Sequence, residues 1–143
     1  MIGMAAYVLF AFGFISRRCE READLFGCRA VSCGKPDCDG HGPGEVLESV
    51  DIATPPCPTS IATFCTALER VAVVNGMHRS KPGWFSSWQH ATIAERVEFL
   101  ERVRRDPAVA VAFGRRMRRF KVGLVVGLTA TLMLIGWLSG SAG

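Results

Sequence analysis

"SRRCEREADLFGC", residues 16–28, is the stretch on which the reading of this chain turns. A run of charges follows directly behind fifteen nearly uncharged, apolar residues, "MIGMAAYVLFAFGFI" (1–15). Within the run, Glu20 and Asp24 stand four residues apart. Four residues is about one helical turn, so both carboxylates face the same way. Such a pair can form salt bridges outward, or it can help to hold a metal ion. No helix breaker comes before Gly27, and Ala23, Phe26 and Ala30 recur at helical spacing. The pattern therefore predicts a helix running on from the apolar segment to about residue 31.

Outward from this stretch, the composition is strongly segregated. At 143 residues there is room for one domain with a modest core. The net charge is +4 and 49% of residues are hydrophobic, with the apolar residues at both ends and the charges between them. Residues 122–138, "VGLVVGLTATLMLIGWL", carry no ionisable side chain. A spanning helix needs roughly 17–25 apolar residues, which predicts a transmembrane helix here with Trp137 as its interfacial aromatic. Residues 1–15 are short by that measure. Their basic flank follows the apolar run instead of preceding it, and no small-residue cleavage site is evident, which argues against a signal peptide. They read as a transmembrane helix truncated at its N-terminus. Arg17 and Arg18 close the first segment, and "RRMRRFK" (115–121) opens the second. Both basic clusters lie on the side of residues 16–121, which the positive-inside rule places in the cytoplasm. The 115–121 run is an anchor to anionic headgroups, with the lipid bilayer as partner. No basic surface interleaved with aromatics points to nucleic acid.

The middle region predicts helices around one long loop. Residues 32–58, within a Cys-rich stretch spanning 28–58, are dense in Gly, Pro and Cys. A loop this long is uncommon in a compact domain and points to function, a metal clip or disorder. A helix follows from about Ser60 to Val74, with Ile61, Phe64, Leu68 and Val71 on one face; Thr59 or Ser60 caps it and Asn75-Gly76 ends it. The next opens at Thr92, where "TIAE" forms a capping box with Glu95, and carries an apolar stripe of Ile93, Val97, Leu100 and Val103. Asp106-Pro107 breaks it, and a short helix is expected from Pro107 into the basic anchor. The predicted fold class is mainly α: a membrane-anchored helical region, a long Gly/Pro/Cys-rich loop and two transmembrane helices.

Alone, E-x-x-x-D describes many solvated helix faces. Its flanks carry more. "SRRCEREADLFG" resembles the third-ligand motif, S-R-x-x-E-x-x-A-D behind a transmembrane helix, of the membrane zinc metallopeptidases that include HtpX and the Ste-type CaaX prenyl protease. Ser16, Arg17, Glu20, Ala23 and Asp24 fit it. The resemblance implies a helical zinc metalloendopeptidase with a protein or peptide substrate, Glu20 as zinc ligand and Asp24 as hydrogen-bond partner of a ligating His. "SSWQHATIAERVEFL" resembles a later motif of the same family, S-H-P-x-x-x-E-R. It implies that His90 and Arg96 line the cleft and bind the substrate backbone or the oxyanion. Ala91 stands where the family has Pro.

The chain departs from the family at its centre. None of its three histidines begins HExxH, so the two His ligands and the general-base Glu are missing. In the family they lie upstream, so the resemblance implies the C-terminal part of such an enzyme, its HExxH carried upstream or by a partner chain. Whether it is an enzyme by itself stays open, and one carboxylate will not hold catalytic zinc. The six cysteines leave a separate question. Cys28, Cys33 and Cys38 are evenly spaced, and His41 follows; together they could bind a structural zinc. Reduced buried thiols are the alternative, and disulfides would need the opposite topology. A second function therefore stands beside the first: a non-catalytic membrane protein using a Cys-rich zinc or redox loop to bind a partner.

Overall fold

The computed structural model describes residues 2–42, 45–46, 54–77 and 91–140. It contains four helices in the order α1 (Ile2–Ala30), α2 (Pro58–Val74), α3 (Ile93–Arg105) and α4 (Ala108–Gly140). Among the described residues there is no strand. The chain forms two compact units, Met1–Val111 and Ala112–Gly143.

In the first unit α1, α2 and α3 pack pairwise on one another. The core follows from helical periodicity. α2 buries Ile61, Cys65, Leu68 and Ala72, one per turn. α3 buries Ile93, Val97, Leu100 and Val103, the stripe expected from the sequence, and Phe99 beside it. α1 meets them with Leu25 and Cys28, both essentially without exposure. The Ala23–Phe26–Ala30 stripe that predicts α1 lies on its exposed side, so the helix is correct and its buried face is a different one. α1 continues through Gly27 because the glycine is a contact and not a stop. A Cβ at Gly27 would collide with the Phe64 ring of α2. On α2, Ala72 takes the buried place expected of Val71, which is exposed.

The helix ends show local chemistry. Cys57, not Thr59 or Ser60, caps α2, and Pro58 occupies the first turn, where a missing N–H costs nothing. Gly76, at φ 62°, ends α2 with its N–H bonded to Val73 (3.1 Å) while Met77 N–H reaches Ala72 (2.9 Å). At α3 the capping box is present: Glu95 N–H donates to Thr92 Oγ1 (3.2 Å) and Thr92 N–H donates to Glu95 Oε2 (2.9 Å). Asp106 is extended and accepts from Ala108 N–H (3.0 Å), closing α3 and opening α4.

α4 is one unbroken 33-residue helix through the basic run and the apolar segment, where a separate short helix was expected. Among the described residues it is the one helix long and apolar enough to cross a membrane. Its side chains from Lys121 to Gly140 are exposed, as a lipid-facing helix requires. The expectation of two such helices is corrected. α1 has the length, but its apolar run stops at Ile15, and Arg17, Arg18, Glu20 and Arg21 follow at once. Among the described residues α1 therefore does not combine the length and the charge-free composition of a span.

Candidate functional site

α1 carries Glu20 and Asp24 on one face, and that face meets the start of α3. Asp24 is buried, with 1% exposure. Arg96 Nε donates to Asp24 Oδ2 at 2.9 Å, and Arg96 Nη2 donates to Asp24 Oδ1. This is a bidentate guanidinium–carboxylate pair, the strong form of such a contact. Glu20 Oε2 accepts from the Ala91 N–H at 2.8 Å. Two motifs some seventy residues apart thus meet through three named side chains. The Asp24 hydrogen bonds raise the Arg96 pKa; burial opposes this, and the Asp24 and Glu20 charges add to it. Arg21 leans over the Phe99 ring at 5.3 Å and extends the α1–α3 contact. The resemblance implies that Asp24 holds a ligating His and that Arg96 reaches substrate; here each holds the other. His90 lies outside the described residues. Glu20 belongs to no group of three metal-ligating side chains among the described residues, so these residues alone do not make a catalytic zinc site.

The second constellation lies where the long loop starts and ends. Cys33, Cys38, His41 and Cys57 each offer a ligand atom, and these atoms lie within 4.8 Å of one another. This Cys3His group could hold a metal ion such as zinc. The local backbone explains how the residues converge. Ser32 Oγ accepts from both Gly34 N–H (3.1 Å) and Cys57 N–H (2.9 Å), which fastens the end of the loop to its start. Arg29 Nε donates to the Thr54 carbonyl at 2.9 Å. Gly34, at φ 73°, makes the turn after Cys33. Thr59 Oγ1 donates to the Cys38 carbonyl (2.9 Å) and lies 3.3 Å from Cys38 Sγ.

The His41 ring nitrogen with a contact to the thiols is Nε2, 3.9 Å from Cys57 Sγ. His41 Nε2 lies 3.1 Å from the Val31 carbonyl, which can only accept, so Nε2 carries the hydrogen in that bond. Nδ1 then keeps its lone pair. It is buried and has no hydrogen-bond partner. Cys57 Sγ accepts from the Ser60 N–H at 3.4 Å as it caps α2. Burial raises the Cys57 thiol, but the Ser32 and Ser60 hydrogen bonds and the Ser60 and Cys33 amides outweigh it and bring it to about 6.

Cys28 does not join the group. It faces the core from within α1, and burial, with the Cys65 and Asp24 charges nearby, pushes its thiol up to about 12. The expected set of Cys28, Cys33, Cys38 and His41 thus changes in one member, with Cys57 in place of Cys28. A helix beginning at "CP" would have signalled this. Pro58 fixes the helix start, so the preceding Cys57 must be its cap. No cysteine is in a disulfide. Compared with known proteins, the chain matches no family model, no curated protein and no solved structure.

Proposed function

We propose that this chain is the C-terminal part of an integral-membrane zinc metalloendopeptidase, anchored by α4 with the first unit on the cytoplasmic side. In this reading it supplies the third zinc ligand, Glu20, and one wall of the substrate cleft. The carrying observation is the junction of the two motif stretches: Asp24 pairs with Arg96, and Glu20 accepts from Ala91, the residue after His90. A solvated helical face, the bland alternative for E-x-x-x-D, leaves its carboxylates in water. Here one is buried and both are held by groups from the second motif. Ala91 N–H aims one Glu20 oxygen, and Arg96 fixes α3 against α1. The two His ligands and the base come from an HExxH segment that these 143 residues do not contain. The chain alone therefore hydrolyses no peptide.

The test is to read the coding sequence upstream of Met1 and beside the gene. An HExxH segment found there is expressed with this chain, and zinc-dependent cleavage of a peptide substrate is measured. Cleavage that Glu20→Gln abolishes supports the reading. The absence of any HExxH segment, or full activity in the Glu20→Gln protein, overturns it. The second reading is a non-catalytic, membrane-tethered binding protein organised by its Cys-rich loop. It is favoured by the Cys3His group, which the peptidase motifs do not require.

A further inference from the structure

We propose that Cys33, Cys38, His41 and Cys57 bind one Zn2+ as a closed structural site, which fastens the start of α2 to the end of α1. This does not rest on the peptidase reading, since none of the four belongs to either of its motifs.

The donor set selects the ion. Three thiols and one imidazole are soft and borderline ligands, and four of them leave no open position, which is the composition of structural zinc sites. A disulfide would use two of the three cysteines and leave the third beside the imidazole. The spacing is close to what the ion needs. Thiolates about 2.3 Å from a shared zinc stand just under ~4 Å apart at tetrahedral angles. The four donors already lie within 4.8 Å, so side-chain adjustment suffices. The buried environment fits as well: Cys33, Cys38 and Cys57 are 9%, 8% and 1% exposed. His41 Nε2 lies 3.9 Å from Cys57 Sγ, which brings the ring to the thiols, and Nδ1 of the same ring is buried without a hydrogen-bond partner. The surrounding bonds also have the form seen around ligated zinc. Ser60 N–H reaches Cys57 Sγ, Thr59 Oγ1 lies beside Cys38 Sγ, and the Val31 carbonyl orients the His41 ring. On binding, each cysteine that still carries its S–H proton gives it to solvent as its S–Zn bond forms. Sulfur and metal keep their oxidation states.

The site closes a long loop at its base. Without the ion, the loop ends are joined mainly by the Ser32, Arg29 and Thr59 hydrogen bonds. With it, the loop is cross-linked at four points, and the α2 cap becomes a ligand.

The test uses the full chain purified under reducing conditions in detergent. Metal content is measured by mass spectrometry, and the zinc is then exchanged for Co2+ to read the visible bands of tetrahedral thiolate coordination. About one zinc per chain is expected, with Co2+ bands showing thiolate ligation. Cys57→Ser removes the ligand yet leaves a good N-cap, so the helix start is preserved while the metal is lost. Cys57→His, which retains a zinc-binding donor, restores metal. Cys28→Ser and Glu20→Gln keep it. A chain that binds no metal when reduced, or one that loses its metal on Cys28→Ser and keeps it on Cys57→Ser, overturns the proposal. So does an intact Cys33–Cys57 disulfide in freshly isolated protein.

Discussion

Two places on this molecule tie α1 to distant sequence, and they differ in who meets the polar groups. At the carboxylate junction the protein meets them itself. Asp24 receives two bonds from Arg96, and Glu20 receives one from the Ala91 amide. At the thiol cluster the donors converge on one another instead. Their bonds to the protein are long or weak, and one buried imidazole nitrogen has no partner. A buried carboxylate whose guanidinium partner is in place is satisfied within the chain, and removing that partner alone leaves a buried charge uncompensated. At the cluster one buried ring nitrogen is left without a partner, and four donors stand close enough to hold a metal ion. Both constellations were candidates on sequence grounds, and the pattern of satisfied bonds separates them.

The comparison can be broken most forcefully by removing the ion. Structural zinc contributes about 10–16 kcal/mol in small zinc-binding domains. Chelation is therefore expected to lower the melting temperature of the first unit more than any single substitution at the junction, as read by circular dichroism in detergent. An unchanged melt would place the cluster with ordinary buried thiols. Next comes the ion pair. Arg96→Ala leaves Asp24 charged and buried, and is expected to cost about 3–5 kcal/mol by chemical denaturation. A double Asp24→Leu, Arg96→Met substitution should recover most of that loss. If Arg96→Ala is nearly neutral, the junction carries no structural load and its geometry serves the site alone.

Smaller effects sharpen the picture. Gly27→Ala sets a methyl group against the Phe64 ring and should cost about 1–3 kcal/mol, relieved by Phe64→Leu. Thr92→Ala removes one half of the α3 capping box and should cost about 1 kcal/mol. Alkylation orders the cysteines without changing stability. Cys19 is exposed and should react in the native protein. Cys33, Cys38 and Cys57 should react only after chelation. Cys28 and Cys65, whose thiols burial pushes up to about 12 and 11, should react only after unfolding. Early labelling of Cys57 in the untreated protein would argue that nothing occupies the cluster.

Much of this was legible in the sequence where the signal is local. The capping box at Thr92 and Glu95, the Asn75-Gly76 stop and the stripe from Ile93 to Val103 all follow from short-range chemistry. The apolar end of α4 was visible from its length and lack of charge. Glu20 and Asp24 were readable as a same-face pair, but their partners were not. Whether Asp24 meets Arg96 depends on how α3 docks, which no window of the sequence contains. The thiol group shows the same limit. Even spacing favoured Cys28, yet that residue sits inside a helix and is buried in the core. Cys57 is far along the chain and arrives through the Ser32 and Arg29 bonds that fold the loop back. Spacing along the chain ranks ligands well only when the intervening backbone is a tight turn. The face of α1 failed for a related reason: the most apolar stripe is the buried one only when the charged residues lack buried partners of their own.

The fastening at the base of the loop also bears on how this protein can change over time. When the two ends of a loop are fixed independently of its middle, added length costs little. Each doubling adds only about 0.6 kcal/mol of closure entropy. The chain between His41 and Cys57 is bracketed by two members of one cluster, so insertions there leave both brackets in place. It is the position at which this fold would accept a new segment, an epitope or a reporter domain at little expense to the three packed helices.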